Sequence, residues 1–231
     1  MILGIMQPYF LPYIGYWQLI NAVDIFVIYD NIQYTKKGWF NRNRYLLNGN
    51  DELFSINIKK DSDFLNVNER FISPDYKREK LITMIQNAYC KAPIKKEMIT
   101  FLSEIINYKE NNLFKYIYNS VLKICEYLDI KTEIIISSSL DIDHSLKAEN
   151  KVLAICKKLE AQTYINSIGG IELYSKELFK EQGIELKFIK SKLIEYKQLE
   201  NVFIPNLSIL DIMMFNDKER IKKYLYEFEL L

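Results

Sequence analysis

The first thirty residues constrain the chain most. An apolar run from Met1 to Met6 leads into Gln7-Pro8-Tyr9-Phe10-Leu11-Pro12-Tyr13. A helical pattern, Ile14-Gly15-Tyr16-Trp17-Gln18-Leu19-Ile20, follows, and then a second apolar run, Asp24-Ile25-Phe26-Val27-Ile28-Tyr29-Asp30. The order reads as strand, loop, helix, strand. Strands joined through a helix pair in parallel, because a parallel pair needs a long crossover. The loop after the first strand then lies at the carboxyl edge of the sheet, where open α/β folds bind ligands. The chain therefore presents tyrosines and an amide where a substrate would sit.

The remaining pattern extends the same architecture. Glu52 to Lys60 alternates apolar and polar residues and predicts a third strand, with Lys59 and Lys60 at its carboxyl end. From Asp75 to about Leu128 apolar residues recur at three-and-four spacing, which predicts an insert of two or three helices over about 75–130. The β-branched run Glu133 to Ile136 resumes the sheet. A helix is expected over Ala148 to Leu159, a strand over Gln162 to Asn166, and a helix over Glu172 to Gln182 stopped by Gly183. Ile184 to Ile189 alternates as a last strand, and Asn206 to Phe215 forms a helix capped by Ser208 or Asn206. Alternating strands and helices over 231 residues predict one α/β domain, 1–231, with a mostly parallel sheet.

Charge narrows the partners. With 31 basic and 30 acidic residues the net charge is +1, too little to steer the chain toward nucleic acid or an acidic membrane surface. No apolar run approaches the roughly 20 residues that span a bilayer, and no basic segment precedes a signal-like core at the amino terminus. The expectation is a soluble cytoplasmic protein with no nucleic-acid partner and no membrane insertion; a homo-oligomer stays open. Cys90, Cys125 and Cys156 have neither a disulfide framework nor CxxC spacing, and read as buried thiols.

Four segments carry a resemblance. Met6 to Ile20, Gly38-Trp39-Phe40-Asn41-Arg42-Asn43, the Ser167-Ile168-Gly169-Gly170 loop with Tyr174, and Phe203-Ile204-Pro205-Asn206-Leu207-Ser208-Ile209-Leu210-Asp211 are similar to the WbqC-like family of bacterial proteins. The resemblance runs from end to end. It implies a setting among enzymes that build O-antigens, lipopolysaccharide, capsules and other surface glycans, beside sugar aminotransferases and acyltransferases, and hence nucleotide-sugar chemistry. A more distant likeness concerns the start: strand, Pro-containing loop, Tyr13-Ile14-Gly15-Tyr16 and helix is laid out like the HxGH signature of nucleotidylyltransferases and pantothenate-synthetase-like ligases, a HUP-type βαβ opening. Tyr stands at both His positions. A phenol donates one hydrogen bond but brings no positive charge to an α-phosphate, which places ordinary adenylyl transfer in doubt.

The candidate groups fall into three loops. Gln7, Tyr9, Tyr13 and Tyr16 flank the end of the first strand and the start of the helix, with Gly15 permitting close approach; the alternative is a structural turn with packed tyrosines. Asp30 ends the second strand, and Gln33, Trp39, Asn41, Arg42 and Asn43 follow, offering a forked cation for a diphosphate and a ring for a sugar or base, unless the loop is a solvated basic face. Lys59 adds charge to that edge or belongs to a surface pair. Ser167, Gly169 and Gly170 form a loop whose amides suit an anion, and the resemblance adds Tyr174, Asn206 and Ser208. His144 is the one histidine, and Asp141-Ile142-Asp143-His144 lacks metal-ligand spacing, so no metal is assigned.

These observations lead to an enzyme that modifies a nucleotide-linked amino sugar, by acyl or aminoacyl transfer to the sugar amine. Asp30 or His144 serves as base, and Asn41, Arg42 or Tyr13 as oxyanion donors. The donor is a coenzyme A thioester or another activated acyl group. Two further readings stand beside it: an ATP–magnesium-dependent ligase in which Arg42 and Lys59 replace the missing histidines, and a scaffold of the glycan assembly enzymes.

Overall fold

The computed structural model describes residues 1–199 and 202–231. Its main sheet has six strands in the order β5-β2-β1-β6-β7-β8, where β1 is Ile2–Met6, β2 Ile25–Ile28, β5 Glu133–Ile136, β6 Thr163–Ser167, β7 Glu185–Ser191 and β8 Phe228–Leu230. All neighbours pair in parallel except β7 and β8. Counted along the chain, the five parallel strands lie third, second, first, fourth, fifth, the order of doubly wound sheets. The order reverses between β1 and β6, and the carboxyl ends of those two strands splay a crevice there.

Helices cover both faces because the strands alternate. Leu3, Ile5, Val27, Tyr164, Leu186 and Phe188 point to one side, against Val152, Ile155 and Cys156 of α5 (Ala148–Lys158) and Phe179 of α6 (Lys176–Glu181). Phe26, Ile28, Ile165 and Ile189 point to the other, against α1 (Ile14–Asn21) and the larger core. Trp17 of α1 is fully buried and donates to the Pro12 carbonyl at 3.1 Å, which satisfies its indole N–H inside the core. Gln18 donates to the carbonyls of Tyr224 and Glu227 at 2.8 and 3.0 Å, anchoring the carboxyl-terminal strand to α1.

The insert contains α2 (Arg78–Ala88), α3 (Lys95–Ile106) and α4 (Leu113–Tyr127). Asn112 caps α4 by accepting from the Lys115 amide at 3.0 Å. Their apolar stripes join the larger core through Ile85, Met98, Leu102, Ile117 and Val121.

Four expectations need correction. Cys125 and Cys156 are buried thiols, but Cys90 is exposed, just past the end of α2. The strand read at Glu52 to Lys60 is β4, Asn50–Ser55, and it does not enter the main sheet. It pairs antiparallel with β3, Arg42–Leu47, inside a segment read as loop; Asn48-Gly49, both at positive φ, turn the hairpin. Lys59 therefore lies beyond the hairpin rather than at a strand end. The helix read at Glu172 to Gln182 begins at Lys176, where Ser175 accepts from the Leu178 amide and stops it starting earlier. Ile184 to Ile189 is followed by α7 (Ile209–Phe215), α8 (Lys218–Tyr224) and β8. The three-residue edge strand β8 is too short to show alternation.

Candidate functional site

The crevice between the ends of β1 and β6 has a volume of about 890 Å³. Gln7 and Tyr9 enter it from the first loop, Asn31 and Gln33 from the second, and Ser167, Gly169, Gly170 and Tyr174 from the third. Three segments distant in sequence thus meet at one edge.

Its electrostatics come from α5. Lys147 and Ala148 begin the helix at the crevice wall, and among the described residues no side chain caps it, so its first-turn amides, which have no intrahelical acceptor, have no capping one either. One turn deeper, Lys151 lies only 2% exposed with Nζ 4.8 Å from the centre of the Tyr29 ring and 3.5 Å from the His144 carbonyl. Burial pushes its pKa down, while Asp30 and Asp143 pull it back up. Among the described residues that line the crevice there is no Asp or Glu. Glu149 in the first turn of α5 is not part of the lining, and two lysines beside the helix start make a surface for an anion.

The aromatic wall is neutral. Burial raises the pKa of Tyr29, and that of Tyr9, to about 12; the neighbouring Tyr174 adds to the first effect and Tyr13 to the second. Tyr164 and Tyr174 meet edge to face at 6.0 Å. Phe64 and Leu173, 86% and 69% exposed, extend the apolar lining at the mouth. A Cβ on Gly170 would lie 2.4 Å from the Asn166 side-chain nitrogen, so glycine there keeps the Asn166 amide at the crevice wall. At Gly169 a Cβ meets only the Ser167 hydroxyl, at 4.0 Å.

His144 lines the mouth with both ring nitrogens engaged. Nε2 lies 2.9 Å from the Leu140 carbonyl, and Nδ1 lies 2.9 Å from the Asn31 side-chain nitrogen. A carbonyl accepts only, so Nε2 carries the proton and Nδ1 is the acceptor; the partners on either side assign the tautomer. Asn31 is itself oriented by the Ser137 hydroxyl, which donates to its Oδ1 at 3.1 Å.

Other residues singled out from the sequence hold the loops. Asp30 is 2% exposed and accepts from the Ser138 amide and hydroxyl at 2.9 and 2.7 Å and from Asn68 at 2.8 Å, which occupies both oxygens beneath the crevice. Arg42 donates to the carbonyls of Gly38 and Lys37. Asn41 bridges the Tyr34 hydroxyl and the Ile56 carbonyl, while Asn43 donates to the carbonyls of Phe10 and Leu11. Tyr16 is buried and donates to the Gln7 carbonyl at 3.1 Å. Ser208 caps α7. Lys59 is exposed and lines neither this crevice nor its neighbour.

Tyr13, Trp39, Asn43 and Asn206 line a second chamber of about 430 Å³ that shares Tyr9 with the crevice. Gly15 shapes this side: a Cβ there would lie 2.5 Å from the Tyr13 ring, which folds back over the helix start.

Lys147, Lys151, Tyr29, Tyr164, Asn31 and Asn166 were not singled out from the sequence. One signal was available for Lys151. It lies among Val152, Leu153, Ile155 and Cys156, where a charge interrupts the buried face of a helix.

Among the described residues no helix is long and apolar enough to cross a membrane. A model of the WbqC-like protein family matches residues 7–223 of the chain. The chain is 27% identical over 225 residues to the uncharacterized protein Rv1507c of Mycobacterium tuberculosis, covering 96% of each. No solved structure matches it.

Proposed function

The chain belongs to the WbqC-like protein family, and from that premise we propose that it is a cytoplasmic transferase of surface-glycan synthesis that acylates or aminoacylates the amine of a nucleotide-linked sugar. One observation carries the reading: the switch-point crevice has two lysines, an uncapped helix start, four tyrosines and several amides, and no carboxylate among its described lining residues. Such a lining suits a diphosphate joined to a base and a sugar. The phosphates face Lys147, Lys151 and the first-turn amides of α5. The base and sugar face the tyrosine rings and the amides of Gln7, Asn31, Gln33 and Asn166. A volume of about 890 Å³ accommodates a ligand of that size.

The chemistry follows from His144. Its Nε2–H is held by the Leu140 carbonyl, so the Nδ1 lone pair can take a proton once a substrate amine replaces the Asn31 amide. The amine nitrogen attacks the donor carbonyl and forms the C–N bond. Its proton passes to Nδ1, and the donor's leaving group departs with the bonding pair and receives that proton. Asp30 is withdrawn from the base role, because its oxygens already accept three hydrogen bonds away from the lining. The ligase reading would need Arg42 and Lys59 on the phosphates of ATP. The guanidinium of Arg42 is engaged by backbone carbonyls, and Lys59 lines neither chamber.

Thermal denaturation against UDP-, dTDP-, GDP- and CMP-linked amino sugars tests this. A ligand held by the native state alone at about 100 times its Kd adds roughly 2.7 kcal/mol. Stabilisation by one of these sugars, and not by its unlinked sugar, is expected. Stabilisation by ATP–magnesium alone would overturn the transferase reading.

A further inference from the structure

The chamber beside the crevice is lined by Tyr9, Tyr13, Trp39, Arg44, Lys190 and Asn206, among others, and by no described Asp or Glu. The Ser167–Gly170 turn separates the two spaces: Ser167, Gly169 and Gly170 line the crevice, and Ile168 lines the chamber. Trp39 is 36% exposed, with the guanidinium carbons of Arg42 and Arg44 at 5.6 and 5.5 Å from its ring centre. Arg44 reaches Asp51 through Nη1 at 2.9 Å, but its Nε–H is sheltered with no acceptor among the described residues. Lys190 forms no ion pair among the described residues. A sheltered guanidinium N–H with no acceptor among the described residues, beside an ammonium and an indole, suits an anion joined to a planar base.

We propose that this chamber binds the activated donor of the transferred group, through a phosphate joined by a ribose to a planar base, with Tyr9 as the wall between donor and sugar nucleotide. The assignment to a donor rests on the acyl-transfer reading above. The phosphate lies between Lys190 and the Arg44 Nε–H, and the ring lies against Trp39 and Tyr13. Both adenine nucleotides and coenzyme A have this chemistry, and the two are separable by experiment.

Fluorescence makes the site observable, because Trp17 is fully buried and Trp39 is the other of the two tryptophans. AMP, coenzyme A and inorganic phosphate are titrated separately into the full chain while Trp39 emission is followed. AMP or coenzyme A, whichever the donor resembles, should change the emission saturably, and inorganic phosphate should bind far more weakly. Lys190→Met should raise the Kd at least about tenfold. Arg44→Lys, which keeps the charge and removes the Nε–H, should weaken binding as well. Lys151→Met, in the crevice, should leave it unchanged. That pattern supports the chamber whether or not a sugar nucleotide binds the crevice, so failure of the transferase reading is distinguishable. Binding of phosphate as tight as AMP, equal sensitivity to Lys151→Met and Lys190→Met, or no response to AMP and coenzyme A would overturn the proposal.

Discussion

The Ser208 hydroxyl donates to the Leu11 carbonyl at 2.6 Å, joining residues 197 positions apart. Leu11 is buried at a positive φ of 48°, a region that costs a non-glycine residue about 1 kcal/mol or more. The same carbonyl accepts from Asn43 at 2.8 Å. The start of α7 and the β3–β4 hairpin together hold the first loop in its shape. Gln7 and Tyr9 reach the crevice because that loop is held.

Ser208→Ala removes both the contact to Leu11 and the cap on α7. The expected loss is about 1–2 kcal/mol, read as a lower urea midpoint with an unchanged slope. Ligand stabilisation should fall with it, since the loop carrying Tyr9 is released.

Lys151→Met should raise stability at neutral pH while weakening anion binding. Burial depresses the Lys151 pKa in the folded chain, so the unfolded chain binds its proton more tightly. Stability tied to this group is therefore full above the unfolded pKa, about 10.4, and is lost as pH falls through the folded value. At pH 7 the methionine variant avoids that cost, and its urea midpoint should lie above the parent's. Melting curves from pH 7 to pH 10 should show its advantage over the parent shrinking.

Gly170→Ala and Gly169→Ala form a matched pair. The first pushes the Asn166 amide from the crevice wall, and the second meets open space. Loss of one ligand hydrogen bond predicts a roughly tenfold weaker sugar nucleotide for Gly170→Ala. Titration calorimetry should find Gly169→Ala close to the parent.

His144→Ala should lower kcat by about 10²–10⁴-fold with a smaller change in KM, because a proton acceptor acts in the transition state. Steady-state kinetics on the sugar nucleotide found by thermal screening reads this directly. An unchanged kcat would remove His144 from the chemistry.

Much of the frame was legible because it depends on local patterning. The βαβ opening, the insert helices, β5, β6 and the Ser208 cap follow from apolar period and capping chemistry within a few residues. The β3–β4 hairpin was not, because Arg42 to Leu47 mixes charged and apolar residues and its partner strand is largely exposed. Gln7 and Tyr9, Asn31 and Gln33, and Ser167 to Tyr174 share the crevice lining, but that the three loops converge was not legible in the sequence, because it depends on strand order and not on local pattern. Their division of labour was not legible. Polar type is the same whether Asn41 binds a ligand or the Ile56 carbonyl, and only the folded chain tells which. Lys151 was legible in principle, because the other lysines of its helix, Lys157 and Lys158, lie at the far end and it alone interrupts the buried stripe.

The central claim is that the crevice holds a nucleotide-linked amino sugar through Lys151. Titration calorimetry of the parent and of Lys151→Met with the UDP-, dTDP-, GDP- and CMP-linked amino sugars tests it most directly. The account predicts that one sugar binds the parent and that the variant, though more heat-stable, binds it at least about tenfold more weakly. Equal affinity in the two proteins, or no binding of any nucleotide sugar to the parent, would contradict it.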